Sequence, residues 1–420
     1  MHILWFLKAH CSIFRNTGYL SIIELFRFLI PFVALPYLIK VVGPEKYGTV
    51  VFVQTIVSYF SYFINFGIDV SAIRDVSTNR ECSQKLSEIV CSIIGVKFCL
   101  LLASILFYIL IICLLPMGRQ HTLLFWGAFL TCFSDVLLPI WFFQGVEKMK
   151  YLTFVQSISI LLYIIFIVLF IKIPDHYERI ALIQSLCNLF AGFLSICIMF
   201  HVFKLRILRV KLNAMLDVVK RSFPFFLSRI SNFFNISISK LICGSFFSMN
   251  LVAAYDLMLK IDAGMSIPMT MINQAVYPHI AKTKDRLFAT KFLLVIVIVS
   301  LCMSLFMFIS APLANAIFAG GSLPESVTLI RIASISVFFA GIDVYLGAPV
   351  LVSFGFSKIF NRSVYFATIC LLITYFILFT MGILTYTSFV IAFVIAEIAT
   401  TFCRWYSCRK NKLIDFSLLR

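Results

Sequence analysis

Charge is scarce in this chain. Asp, Glu, Lys and Arg make up only 13% of its 420 residues, where a soluble domain carries about 25%. Acid is scarcer than base, with 18 Asp and Glu against 35 Lys and Arg. The 13 cysteines contain no Cys-x-x-Cys pair and the six histidines are scattered, so neither a metal site nor a disulfide framework is expected. No Asp-x-Asp pair of the kind that sugar-nucleotide enzymes use appears. The apolar patch at residues 3–7 is too short for a signal-peptide core, so the first long apolar run is expected to remain as a span. The apolar runs also lack a two-residue alternation, which excludes an outer-membrane barrel.

What is abundant is apolar surface. Hydrophobic residues make up 62% of the chain, and the mean hydropathy is +1.03. No soluble core hides that much, so the bilayer must be the solvent. A spanning helix needs about 20 apolar residues. Apolar windows predict twelve spans, at 17–40, 47–70, 88–115, 121–144, 151–173, 179–202, 222–244, 251–277, 289–317, 327–351, 362–382 and 387–406. The fold class expected is an all-α polytopic membrane protein, and the short loops leave no room for a sizeable soluble domain. With the N-terminus inside, 24 Lys and Arg fall in inner segments and five in outer loops. That asymmetry predicts a multi-pass protein of the inner membrane with both termini cytoplasmic. It also accounts for the net charge of +17 without nucleic-acid binding.

The longest basic loop suggests two halves. We expect an N-terminal six-helix lobe at 1–202, a basic cytoplasmic linker at 203–221, a second six-helix lobe at 222–406 and a basic tail at 407–420. A weak repeat agrees: Pro139, Gly145 and Lys148 close the fourth span as Pro349, Gly355 and Lys358 close the tenth, 210 residues later. Parallel repeats of this kind are a transporter feature.

Three stretches carry a resemblance. The first runs Leu35-Pro-Tyr-Leu-Ile-Lys40-Val-Val-Gly43-Pro44-Glu-Lys-Tyr47-Gly48 and continues through Gln54, Tyr59-Phe60, Asn65-Phe66-Gly67 and Ser71-Ala72-Ile73-Arg74. The second is Trp141-Phe-Phe-Gln-Gly145-Val-Glu147-Lys148-Met149-Lys150, and the third Gln274-Ala275-Val-Tyr277-Pro278. In order and placement they resemble the motifs of Wzx-type flippases for O-antigen and other polysaccharide repeat units, within the multidrug, oligosaccharidyl-lipid and polysaccharide exporter superfamily. The resemblance implies twelve helices in two pseudo-symmetric lobes around a central cavity, with no prosthetic group and no catalysis. It implies movement of an undecaprenyl-pyrophosphate-linked oligosaccharide from the cytoplasmic to the periplasmic leaflet, with a polysaccharide polymerase and a chain-length regulator as implied partners. Two positions depart from the family pattern. Asn65 stands where many relatives have an acid, and Leu259 precedes Lys260 where many have another. Roles of those acids do not carry over.

Such cargo needs a wet, cationic path, and charges within spans mark candidates for it. Arg229, Arg27, Lys240, Lys260, Arg331 and Lys97 are the candidate substrate-binding cations. Glu24, Asp135, Asp256, Asp262, Asp343 and Glu397 are candidate ion-coupling groups or counter-ions. Glu24 and Arg27, three apart, share a helical face, and Asp256 and Lys260, four apart, can pair. Arg229 lies roughly 10 Å into its span, among Ser228, Ser231, Asn232, Asn235, Ser237 and Ser239. Its guanidinium suits a phosphate, which makes it the favoured contact. Asp69 is expected to be a boundary residue at the inner end of the second span, and Lys97 to lie within reach of the interface. The mechanism expected is binding of the pyrophosphate by cations of the first and seventh spans, followed by rocking of the lobes. The alternative reading is a cation-coupled small-molecule or drug exporter of related fold. A membrane polymerase or glycosyltransferase fits less well, because the outer loops are short.

Overall fold

The computed structural model describes residues 32–414, apart from the side chains at 228, 231, 232 and 234–236. Every regular element in that range is helical, as hydrocarbon demands when no water is present to satisfy the backbone. Nine helices among the described residues are long and apolar enough to cross a membrane. Two further helices of 35 residues each, Leu212–Phe246 and Met249–Thr283, are long enough but more polar. Phe32–Val42 is the described end of the expected first span. The twelve expected spans are therefore all represented. The chain divides into two compact units, Met1–Ile230 and Ser231–Arg420, and the division falls inside the seventh span.

In the first unit, α1 (Phe32–Val42) and α2 (Pro44–Asn65) are followed by α3 (Ile68–Asn79). α2 and α3 together make the second span, interrupted where Phe66 (φ 42°) and Gly67 (φ 66°) both turn left-handed. Gly67 is needed there twice over. Its φ disfavours any side chain, and a Cβ would come within 2.6 Å of the Phe226 main-chain nitrogen. The third span is α4 (Ser83–Leu114). After the short α5 (Pro116–Gln120) comes the fourth, α6 (Thr122–Leu137), which breaks at Pro139 and resumes as α7 (Ile140–Gly145). Then come α8 (Met149–Phe170) and α9 (Glu178–Val202). α6 and α9 approach closely because Gly127 meets the backbone of Leu182 and Gly192 meets Leu137, the small-residue packing that membrane helices use. The second sequence motif is mostly core. Trp141, Phe142 and Phe143 are buried with Ile68, Val76 and Val90, and Gly145 leaves room for Val76. Glu147 pairs with Arg80 at 3.2 Å.

The first half of α10 (Leu212–Phe246) completes this unit. Phe226 stacks on Phe66 with centroids 4.4 Å apart, and Ser222 meets Ser71 at 2.7 Å.

The second unit contains the rest of α10, α11 (Met249–Thr283), α12 (Arg286–Ala319), α13 (Pro324–Tyr345), α14 (Ser357–Thr380) and α15 (Tyr386–Lys410). Asp285 caps α12 by accepting from Phe288 N–H, and Thr385 with Ser388 forms a capping box on α15. Between α13 and α14 the chain widens into a π-helical stretch, Leu346–Val352. Pro349 lies in it and has no N–H to continue an α ladder. The two ends of the weak repeat, Pro139 and Pro349, thus both sit where a span departs from α geometry. Tyr345, fully buried, donates to the Ala289 carbonyl at 2.7 Å and ties α13 to α12.

Candidate functional site

The break in the second span creates the first group of charges. It turns the chain so that Asp69 falls in the first turn of α3 and faces inward rather than marking a boundary. Lys97 of α4 is 1% exposed. Its Nζ donates to Asn65 Oδ1 at 2.8 Å and to the Asp135 main-chain oxygen at 3.2 Å, and it lies 3.6 Å from Asp69 Oδ1. The Asp135 carbonyl needs an outside donor because Pro139, four residues on, has no N–H to give it. Lys97 therefore does not reach the interface as expected. It caps a broken helix, and at position 65 the amide oxygen of Asn65 supplies its acceptor.

Above this cap lies a cavity of about 370 Å³. α2 contributes Ser58, Ser61, Tyr62 and Asn65, α3 contributes Asp69, and α6 contributes Asp135. Phe226 and Arg229 of α10 close one side. Ser61 donates to the Asp135 carboxylate. Arg229 is half exposed, with its Nη1 at 3.5 Å from Asp69 Oδ2. The side chains of Ser228, Ser231, Asn232 and Asn235, read from the sequence as polar neighbours of Arg229, lie outside the described ones. Ser237 and Ser239 are buried, and Ser239 meets the Tyr375 hydroxyl at 2.6 Å.

The second unit holds two more groups. Lys240 Nζ and Lys260 Nζ each approach one oxygen of Asp256 at 2.6 Å. The i,i+4 half of this triad was legible in the sequence, while the bond from α10 to α11 was not. Asp256 begins its helix's third turn, roughly 10 Å from the end at Met249, and is 3% exposed. The other group gathers around Arg404, which the sequence reading does not single out and which is 5% exposed. Its Nη1 donates to Asp343 Oδ2 at 2.7 Å and to the Asp343 carbonyl at 2.9 Å. Its Nε donates to Ser363 Oγ at 2.8 Å, and Phe360 lies under the guanidinium. Gly347 makes this fit possible, since a Cβ there would meet Arg404 and Phe360 at under 3 Å. The one available signal was position: Arg404 precedes the end of the apolar run at 406. Glu397 of α15 interacts electrostatically with Asp343, Asp262 and Arg404, and Asp262 accepts from Ser336 at 2.9 Å.

The remaining candidates are not brought into these groups. Arg331 is exposed on α13 with its guanidinium over the Phe308 ring at 5.4 Å. Glu24 and Arg27 lie outside the described residues. Among the described residues no cluster of His, Cys, Asp and Glu could hold a metal ion.

A family model described as polysaccharide biosynthesis protein matches residues 13–284, well over half the chain. A protein of Escherichia coli (strain K12) named for O-antigen transport is 24% identical over 357 residues, 84% of this chain and 86% of its own length. A Shigella dysenteriae protein of the same name is 24% identical over 358 residues, 83% and 88% of the two chains. Among solved structures, the inward-facing conformation of a multidrug resistance MATE family transporter of the MOP superfamily matches with a TM-score of 0.73 at 13% identity, over 95% of this chain and 98% of that one. The MATE multidrug transporter DinF-BH gives 0.62 at 15% identity over 93% and 94%. At such identities the structures speak for the fold. The chain is a multi-pass membrane protein of the polysaccharide biosynthesis protein family, built on the fold of MOP-superfamily transporters.

Proposed function

We propose that this protein moves undecaprenyl-pyrophosphate-linked repeat units of O-antigen, or of a similar surface polysaccharide, from the cytoplasmic to the periplasmic leaflet of the inner membrane. The family and the names of the relatives support a polysaccharide role. The observation that carries the reading is the Lys240–Asp256–Lys260 triad. Two ammonium groups are gathered at 2.6 Å around the two oxygens of one anion. A phosphate presents paired oxygens of the same kind, and charge-assisted bonds to them are strong at low dielectric. Side chains that are 19% and 28% exposed leave both lysines room to turn from the carboxylate to an incoming head group. We assign the pyrophosphate to these two lysines rather than to Arg229, which the sequence reading favours for it. In the cell, a polymerase acting on the delivered unit is the natural consumer of the product.

The test is translocation of a lipid-linked repeat unit by purified protein in proteoliposomes, read by accessibility of the glycan to an external reagent. Lys240→Gln with Lys260→Gln is expected to slow it at least about tenfold, as loss of paired charges does. Translocation at the unaltered rate would remove the phosphate role from the triad. Export of small organic cations with no movement of the lipid would replace the flippase reading altogether.

A further inference from the structure

We propose that the cavity of the first unit is a glycan subsite, taking one sugar ring of the cargo and not its pyrophosphate; this rests on the flippase reading above. Its volume of about 370 Å³ is at the low end for a small-molecule site, roughly 300–1,000 Å³. That is room for a pyranose with its substituents rather than for a whole repeat unit.

The chemistry of the wall selects the occupant. Two carboxylates, Asp69 and Asp135, line the cavity with one guanidinium, Arg229. Lys97 supports the wall from behind, at 1% exposure. A pyrophosphate placed here would face both carboxylates at close range, and like charges repel strongly in such surroundings. Sugar hydroxyls have the opposite need. Each is a donor, and a carboxylate is an acceptor with about four lone-pair sites, so hydroxyl-to-carboxylate bonds are of the strong, charge-assisted kind. Arg229 can donate in return to ring and hydroxyl oxygens, and the Ser58 oxygen, whose own proton goes to the Thr55 carbonyl at 2.6 Å, can accept from a sugar hydroxyl. Tyr62 and Phe226 supply aromatic surface whose negative ring faces attract the C–H edges of a sugar.

The wall is also held in place before any sugar arrives. Asp135 is fixed by Ser61, its main chain is capped by Lys97, and the same lysine holds Asn65. Asp69 is anchored between Lys97 and Arg229. Acceptors fixed in this way lose little freedom on binding, which favours affinity for a weakly held ligand such as a sugar.

The experiment uses the purified full chain in nanodiscs and two probes, titrated by calorimetry. One probe is the free repeat-unit oligosaccharide released from the host's own surface polysaccharide, and the other is inorganic pyrophosphate. Asp69→Asn and Asp135→Asn are expected to weaken oligosaccharide binding by about tenfold, the effect of losing a hydrogen bond to a charged group, while pyrophosphate affinity does not fall. Ser61→Ala leaves every charge in place and is expected to weaken oligosaccharide binding as well, so the outcome does not depend on the acid variants folding. Absence of oligosaccharide binding by the unaltered protein, equal binding by all variants, or displacement of oligosaccharide from this cavity by pyrophosphate would each overturn the subsite. Translocation measured in parallel separates the two claims. A protein that moves the lipid-linked unit but binds no free oligosaccharide keeps the flippase reading and loses the subsite. One that binds the oligosaccharide in this cavity and moves no lipid does the reverse.

Discussion

Arg404 is a cation that the sequence hides and the structure exposes as a tie. It bonds to Asp343 twice and to Ser363 once, in a site where it is 5% exposed. Removing one member of a buried pair leaves the other charge uncompensated, at a cost of about 3–5 kcal/mol. Arg404→Met is therefore expected to lower the melting temperature of the purified protein in detergent, and Asp343→Asn in the same background to restore part of the loss. An unchanged melting temperature in the single variant would show that the pair carries no stability. At this scale the sequence was informative about which charges lie in spans and uninformative about their partners. Asp69 looked like a boundary residue because it follows an apolar run, yet it faces Lys97 and Arg229. Lys240 has no acid within its expected span, 222–244, and its partner comes from the next helix. Side-chain spacing reports only on neighbours along a helix, so contacts across helices stay invisible to it.

Helices were far more legible than their interruptions. A run of about 20 apolar residues can do little in a bilayer except span it, and among the described residues each of the twelve runs contains helix, the first only through its end at Phe32–Val42. The breaks at Phe66-Gly67 and at Pro139 leave no gap in hydrophobicity, so windows of hydropathy pass over them. A glycine or proline within a membrane helix is common and gives only a hint. Gly67 nevertheless determines how α10 meets the second span. Gly67→Ala would put a methyl group 2.6 Å from the Phe226 nitrogen and 2.9 Å from the Phe225 carbonyl carbon, at a φ of 66°. Backbone cannot yield as a side-chain tip does, so the expected result is a protein that melts lower and assembles little surface polysaccharide. Unaltered assembly at normal expression would show that α10 need not approach so closely. At the Pro139 and Pro349 breaks the same irregularity has been put to two uses, an end-cap for Asp135 and a seat for Arg404.

Across the whole molecule, the distribution of Lys and Arg makes a claim about orientation that a cysteine experiment can test. Cys82 is exposed between α3 and α4, beside Arg80 and Lys85, and Ser322 is exposed between α12 and α13. In intact cells a membrane-impermeant maleimide is expected to label Ser322→Cys in a cysteine-free background. A variant retaining only Cys82 should react only after the membrane is opened. The reverse pattern would turn the protein over and with it the direction of transport. The cap on the broken fourth span has a consequence for how the protein is made. α4 leaves the ribosome before α6 exists, so Lys97 must enter the membrane without the Asp135 carbonyl. A lysine at the centre of a span costs the insertion machinery about 2.5–3.5 kcal/mol. The rest of α4, with some of the most apolar sequence in the chain, offsets that cost, and Asn65, already synthesised, offers the first acceptor. The order of synthesis thus lets the second span shelter the third until the fourth arrives to complete the site.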